Sequence, residues 1–165
     1  MTVTIDNFKQ ALRLWASGVT VVTSKTEQSG CQGMTATSFS SVSTEPAQIL
    51  VCINESADTG KGIREGGHFA VNILNNHQQD ISNQFAGASS QQQRFDNVSW
   101  SEGVTGVPVL DDSLASIECK LAQQVLAGTH WIMIGEVQNV ICRSGSPLLY
   151  YNSAYQSLAE PGRST

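Results

Sequence analysis

Charge is scarce in this 165-residue chain. Only 14% of its residues are Asp, Glu, Lys or Arg, and the net charge is −5. The nine Lys and Arg residues form no cluster. Nucleic acid therefore finds no basic footprint, and no nucleic-acid partner is expected. An acidic balance still permits an anionic cofactor, because backbone N–H groups and a few cations can hold one. No apolar run approaches the roughly 18 residues that cross a bilayer as a helix. Asp6, Lys9 and Arg13 interrupt the N-terminal apolar residues, so there is no secretory pattern. No membrane partner is expected. Cys31, Cys52, Cys119 and Cys142 form no C-x-x-C pair. They read as reduced, mostly buried thiols of a cytoplasmic protein. His68, His77 and His130 show no ligand spacing with Cys or carboxylates, so no metal is expected. The chain has neither G-x-G-x-x-G nor G-x-x-x-x-G-K-[ST], which leaves a Rossmann or P-loop nucleotide site unsupported. It also lacks internal repeats and an interdomain linker. One domain over residues 1–158 is expected, followed by a disordered tail over 159–165.

What the chain does have is β-branched residues and turns. Ile5, Phe8, Leu12 and Trp15 recur at helical spacing and predict an amphipathic helix, capped by Thr4 or Asp6 and ended at Gly18. Strands are predicted over 19–23, 31–39, 49–53 (an apolar run, read as buried on both faces) and 69–74. Two long strands follow over 115–126 and 130–142, joined by a tight hairpin at 127–129, and a short one over 148–151. Short helices are predicted over 56–65, with Ser56 as N-cap and Gly66-Gly67 as stop, and over 78–85. Residues 87–93 read as loop, and 103–112 as a Gly/Pro-punctuated connection. Strands outnumber helices and do not alternate with them. The fold class is mainly β, an antiparallel barrel with flanking helices.

The segment 33–43 (Gly-Met-Thr-Ala-Thr-Ser-Phe-Ser-Ser-Val-Ser) is the most telling. It carries six hydroxyl side chains and no charge, with apolar residues threaded through it. Neutral hydroxyls and backbone N–H groups can bond phosphate oxygens without a cationic clamp. An edge strand with Ser and Thr facing water accounts for it equally well. Four further places draw attention. Cys52-Ile53-Asn54-Glu55-Ser56-Ala57 ends a strand in a polar turn that opens a helix. Phe85-Ala86-Gly87 ends a helix, and Arg94 follows where cations are few; it is either a bidentate phosphate partner or a solvated surface residue. Gly128-Thr129-His130 lies at the tip of the long hairpin. Pro147-Leu148-Leu149-Tyr150-Tyr151, then Tyr155, forms a tyrosine cluster.

These blocks, in this order over about residues 5–157, resemble the flavin reductase-like family, the small reductase components of two-component flavin monooxygenases. The resemblance implies an FMN-binding split barrel of Greek-key type, a homodimer, and NAD(P)H:flavin oxidoreductase activity with FMN or FAD and NADH or NADPH. Low Lys/Arg content leans towards NADH, since no 2′-phosphate clamp is evident. Reduced flavin would pass to a flavin-dependent monooxygenase. Carried over by motif, Thr35, Ala36, Thr37 and Ser38 would hold the phosphate side and ribityl chain. Cys52, Ile53, Asn54, Ser56 and Ala57, with Phe85, Ala86 and Gly87, would frame the ring. Arg94 would meet the phosphate. His130 would orient the nicotinamide or flavin edge, and Tyr155 would touch cofactor or substrate. Thr129 stands where many relatives have Asp. Cys52 is read as packing rather than redox chemistry. The apolar N-terminal helix suits a dimer interface and equally suits core packing. The alternative from another class is a flavin-binding electron carrier or store without reductase turnover.

Overall fold

The computed structural model describes residues 2–159. Apart from residue 159, the predicted tail lies outside them. The chain opens with helix α1 (Ile5–Arg13), whose N-cap Thr4 accepts a hydrogen bond from the Asn7 N–H at 3.2 Å. Asp6 in the first turn and Arg13 in the last both match the helix dipole. The helix stops at Leu14 rather than Gly18, because Ser17–Gly18 forms strand β1. Strands β2 (Thr20–Thr26) and β3 (Gly30–Ala36) make a hairpin, and Gly30 takes the left-handed φ of 68° that its turn requires. β3 does not continue to Phe39. The chain breaks at Thr37-Ser38 and resumes as β4 (Phe39–Thr44), which pairs with β5 (Ala47–Asn54).

Helix α2 (Asp58–Gly66) follows, stopped by Gly67 at φ 71°. Next come β6 (His68–Ile73), α3 (Gln79–Ala86) and α4 (Gln91–Phe95). The polar stretch read as loop thus holds a helical turn, fixed by a capping box between Ser90 and Gln93. A small hairpin of β7 (Trp100–Glu102) and β8 (Pro108–Leu110) occupies the punctuated region. The long hairpin is β9 (Ala115–Ala127) and β10 (His130–Cys142). The last strand expected is joined by a second, giving β11 (Leu149–Tyr151) and β12 (Ala154–Gln156).

The main sheet has seven strands in the order β3-β2-β6-β9-β10-β5-β4, all antiparallel. Val22 on β2 and Ile49, Val51 and Ile53 on β5 share one buried cluster with Phe69, Val71, Cys119 and Met133. Three strands separate β2 from β5 in that order, so the sheet is rolled on itself as a split barrel requires. β1, β11 and β12 form a separate three-stranded sheet. β5 alternates buried and half-buried residues instead of being buried throughout. Ile49, Val51 and Ile53 face the core, while Leu50 and Cys52 face outward onto a cleft. The thiols are also less buried than expected: Cys119 is buried, Cys31 and Cys52 are half-buried, and Cys142 is exposed.

Glu118, 1% exposed, is a charge inside this frame. Its carboxylate accepts hydrogen bonds from Asn139 Nδ2 (2.8 Å), Thr105 N (2.9 Å) and Thr105 Oγ1 (2.8 Å). Burial alone pushes its pKa up. The bonds from Asn139, Thr105 and the Val104 N–H outweigh burial and hold it below the usual carboxylate value. The folded pKa is thus lower than the unfolded one. Its contribution is complete above the unfolded value near 4.5 and is lost as pH falls through the folded value. Glu118→Gln turns an NH2 towards donors and is expected to cost about 2–3 kcal/mol at pH 7. The gap between variant and parent should narrow as pH falls below the unfolded value near 4.5. Urea unfolding at pH 7 and pH 3.5 checks both statements; an equal gap at both pH values would count against them.

The sequence left open whether α1 packs in the core or at an interface. No residue of α1 is buried. Ile5 is 73% exposed, Phe8 56%, Leu12 55% and Trp15 77%. The apolar face of α1 does not contribute to its own chain's core.

Candidate functional site

Three clefts run along the outer side of β3 and the start of β4, and they share walls. The first, about 570 Å³, is lined by Leu12, Trp15, Thr37, Ser38, Cys52 and Tyr151, among others. The second, about 310 Å³, takes Thr35, Thr37, Ser82, Asn83, Ala86 and Tyr155. The third, about 360 Å³, takes Thr35, Ser56, Ala57, Thr59, Ala86 and Arg94. Thr37 belongs to the first two, while Thr35 and Ala86 belong to the last two. The hydroxyl-rich segment is therefore one wall of a continuous trough.

The break at Thr37-Ser38 forms the floor of that trough. The Ser38 hydroxyl donates to the Cys52 carbonyl at 2.7 Å, and Cys52 N–H donates to the Ser38 carbonyl at 3.1 Å. This reciprocal pair fastens the corner to β5. At the far end of β5, Asn54 Oδ1 accepts from both Ser56 N (3.0 Å) and Ser56 Oγ (2.7 Å). Ser56 is thereby spent on an Asx turn, and α2 starts two residues later with Ala57 as N-cap and no side-chain cap bond. The first N–H groups of α2 open onto the third cleft with no capping side chain, and Asp58 of that turn, 3.5 Å from Lys61 Nζ, shares its wall. Thr59, fully buried, has a hydroxyl with no hydrogen-bond partner at the same cleft. No local sequence signal marks Thr59; the helix start two residues later than the sequence predicts is what brings it to the cleft.

Arg94 is neither a solvated surface residue nor a free phosphate clamp. Its Nη1 donates to the Gly33 carbonyl at 2.7 Å and its Nη2 to the Gly87 carbonyl at 2.8 Å. Its Nε is buried, has no partner, and belongs to a side chain that lines the third cleft. Gln91 Oε1 accepts from Gly33 N at 2.8 Å. The free edge of β3 is thus satisfied by side chains of α4. A side chain at Gly33 is excluded, since a Cβ would lie 2.5 Å from Cε1 of Phe85. Phe85, Phe95 and Trp100 continue from there in edge-to-face contacts, with ring centroids 5.1 and 5.8 Å apart.

Tyr155 lines the second cleft, but its hydroxyl is tied to α3. It donates to Asn83 Oδ1 at 2.8 Å and lies 2.8 Å from Ser82 Oγ. Thr35 Oγ1 donates to the Ser82 carbonyl at 2.6 Å. Among the remaining motif residues, Ala36, Ile53 and Phe85 point into the core, and Gly87 serves through its carbonyl. Asn54 is opposite His130 in the β5–β10 register, and both lie outside the three clefts. His130 is exposed, with Nδ1 2.9 Å from Thr129 Oγ1, which orients the ring.

The thiols offer no redox pair. Burial, then the charge of Glu118, pushes the Cys119 thiol up to about 12, and burial raises that of Cys31. Both stay protonated at neutral pH, out of nucleophilic use. What remains is a hydroxyl-lined trough with buried donors at one end. Such a trough can bind and orient, and it offers no nucleophile with an adjacent base.

The flavin reductase like domain model matches residues 12–159. The FMN reductase (NADH) RutF of Pseudomonas syringae is 42% identical over 92% of this chain and 85% of its own length. Among solved structures, flavin reductase PheA2 in its native state superposes with a TM-score of 0.88 at 36% identity, covering 96% of this chain and all of that one. The styrene monooxygenase flavin reductase SMOB of Pseudomonas putida S12 superposes at 0.84 with 28% identity, covering 94% and 99%.

Proposed function

The chain belongs to the flavin reductase-like domain family, and on that premise we propose that it reduces FMN or FAD with NADH and supplies the reduced flavin to a partner monooxygenase. Held by the residues of the trough, flavin would supply the two-electron acceptor for the nicotinamide hydride and would leave reduced for the partner. Every other contribution is positional. Hydride transfer needs two rings held face to face at contact distance with water kept out, and no protein nucleophile.

The trough fits a flavin phosphate at its third cleft, where Thr59 Oγ1 and Arg94 Nε are buried donors without acceptors. A phosphate there would satisfy both and meet the uncapped start of α2. That pair of orphaned donors is the observation that carries the reading. The phosphate thus sits with Thr59 and Arg94, while Thr35, Thr37 and Ser38 line the path of the ribityl chain and ring. Ser56, Ala57 and Ala86 border the phosphate end. Cys52 packs beneath Ser38 at the ring end. Tyr155 holds α3, and so Ala86, in place against Thr35. His130, oriented by Thr129, stands beside Asn54 and orients the nicotinamide.

NADH oxidation followed at 340 nm, with and without added FMN or FAD, tests this. Strong stimulation that saturates at micromolar flavin is expected. A yellow protein that retains flavin through gel filtration and oxidises no NADH would instead make it a carrier or store.

The exposed apolar face of α1 favours a homodimer, because Leu12 and Trp15 border the first cleft and a second subunit covering them would close it. Phe8→Glu is expected to shift the species seen by gel filtration with light scattering from dimer to monomer. It should also lower flavin-dependent turnover at least tenfold. A Phe8→Glu dimer with full turnover would remove α1 from the interface.

A further inference from the structure

Gln84 lies on α3, half-buried, and lines none of the three clefts of the trough. We propose that it is a positioning residue for flavin binding: its amide caps the end of α4 and so fixes where Arg94 presents Nε to the phosphate. The proposal rests on the flavin reading, with the phosphate at Thr59 and Arg94.

The first argument is that α4 cannot hold its own shape. It has five residues, and helices so short are not stable alone. Its start is fixed by the capping box of Ser90 and Gln93. Its end needs donors for carbonyls that lack intrahelical partners. Gln84 Nε2 supplies them, donating to the carbonyls of Gln93 at 3.1 Å, Arg94 at 2.9 Å and Asp96 at 2.9 Å. Two protons serve three acceptors, so at least one proton is shared. Arg94 stands inside the turn that this amide closes.

The second argument is reciprocity. The Gln84 side chain holds the Arg94 backbone, and Arg94 Nη2 returns to the Gly87 carbonyl, three residues after Gln84. The two residues cross-tie α3 to α4. α3 is itself anchored, because Phe85 is fully buried with Val19, Val21 and Leu74, and the Ser82 carbonyl accepts from Thr35. Gln84 therefore refers Arg94 to the barrel core and not to the intervening residues 87–90. The guanidinium is planar, and both of its Nη atoms are already bonded to carbonyls. A shift of the α4 backbone would thus swing Nε away from the third cleft.

The test uses three substitutions. Gln84→Met keeps the length and removes the donors, and Gln84→Ala removes the amide without added bulk. Gln84→Lys offers three ammonium N–H groups to the three carbonyls. Dissociation constants for FMN and riboflavin are read from flavin fluorescence. The two donor-free variants should each weaken FMN about tenfold, the low end for one lost hydrogen bond to a charged group, and riboflavin by less than about threefold. Gln84→Lys should stay within about threefold of the wild type for both flavins. Added to Arg94→Ala, Gln84→Met should change FMN affinity less than about twofold, since the group it positions is gone. Equal losses for the two flavins, an undiminished loss in the Arg94→Ala background, a Gln84→Lys as weak as Gln84→Met, or unchanged FMN binding in both donor-free variants would overturn the role of Gln84. A wild-type protein that binds FMN no more tightly than riboflavin would instead remove the phosphate from Thr59 and Arg94, and with it the flavin reading of that cleft.

Discussion

Arg94→Ala is expected to lower kcat/KM for FMN by about 10²–10³-fold, mostly through KM. The guanidinium makes two charge-assisted bonds to carbonyls, at Gly33 and Gly87, and keeps Nε for the phosphate. Hydrogen bonds to charged groups contribute about 1.5–3 kcal/mol each. Three such bonds total about 4.5–9 kcal/mol, and losing half of that from transition-state binding costs about 2–4.5 kcal/mol, a range centred on 10²–10³-fold at 1.36 kcal/mol per tenfold in rate. Arg94→Lys restores a point charge without the fork, so it should recover phosphate attraction and not the two-carbonyl clamp. Riboflavin, which lacks phosphate, separates the two parts. Thr59→Val should weaken FMN and leave riboflavin turnover unchanged, whereas Arg94→Ala should weaken both. Steady-state kinetics with the two flavins decides the matter. A change below threefold for Arg94→Ala would remove it from the site.

Gly135→Val should be among the most destabilising single substitutions in the barrel. A Cβ at position 135 would lie 2.5 Å from Phe69 Cζ and 2.6 Å from Cys119 Cβ. Both neighbours are fully buried and cannot swing into solvent. Position 135 also adjoins an irregularity in the β9–β10 register, between Ile134 and Gly135, so the backbone there is already adjusted around the Phe69 ring. Overpacking of this kind costs about 1–3 kcal/mol and occasionally more. At roughly 2–4 °C per kcal/mol for a chain of this size, Tm should fall by about 2–12 °C. Phe69→Leu in the same chain should recover part of the loss, a coupling that only contacting residues show. Calorimetry of the two single variants and the double variant measures it. Strict additivity would mean that the ring is not the obstacle.

Much of the architecture was legible because apolar period and turn residues agree. The long hairpin with its turn at 127–129, the β2–β3 hairpin, and the α2 stop at Gly66-Gly67 all followed from local chemistry. What stayed hidden was tertiary. Nothing local distinguishes Thr37-Ser38 from the strand on either side, and the break exists because Ser38 bonds across to Cys52. The apolar run 49–53 read as doubly buried because Leu50 and Cys52 face a cleft rather than open water. α4 has no apolar period to announce it, although Ser90 and Gln93 stand at capping-box spacing. Residue type placed Arg94 near an anion. Its two carbonyl partners, 61 and 7 residues away, leave no trace in local sequence. Thr59 was not singled out, because it lies inside the helix predicted from Ser56.

The edge of β3 carries a further consequence, for solubility. β3 ends the seven-stranded sheet, and an unpaired terminal strand is a template on which another chain can add. At Gly33 both backbone groups are taken, the N–H by Gln91 and the C=O by Arg94. The side chains that shape the ligand's bed therefore also act as gatekeepers against intermolecular strand addition. Ligand affinity and resistance to aggregation are coupled at that one residue, so selection for a looser flavin pocket would draw on the protein's colloidal stability as well.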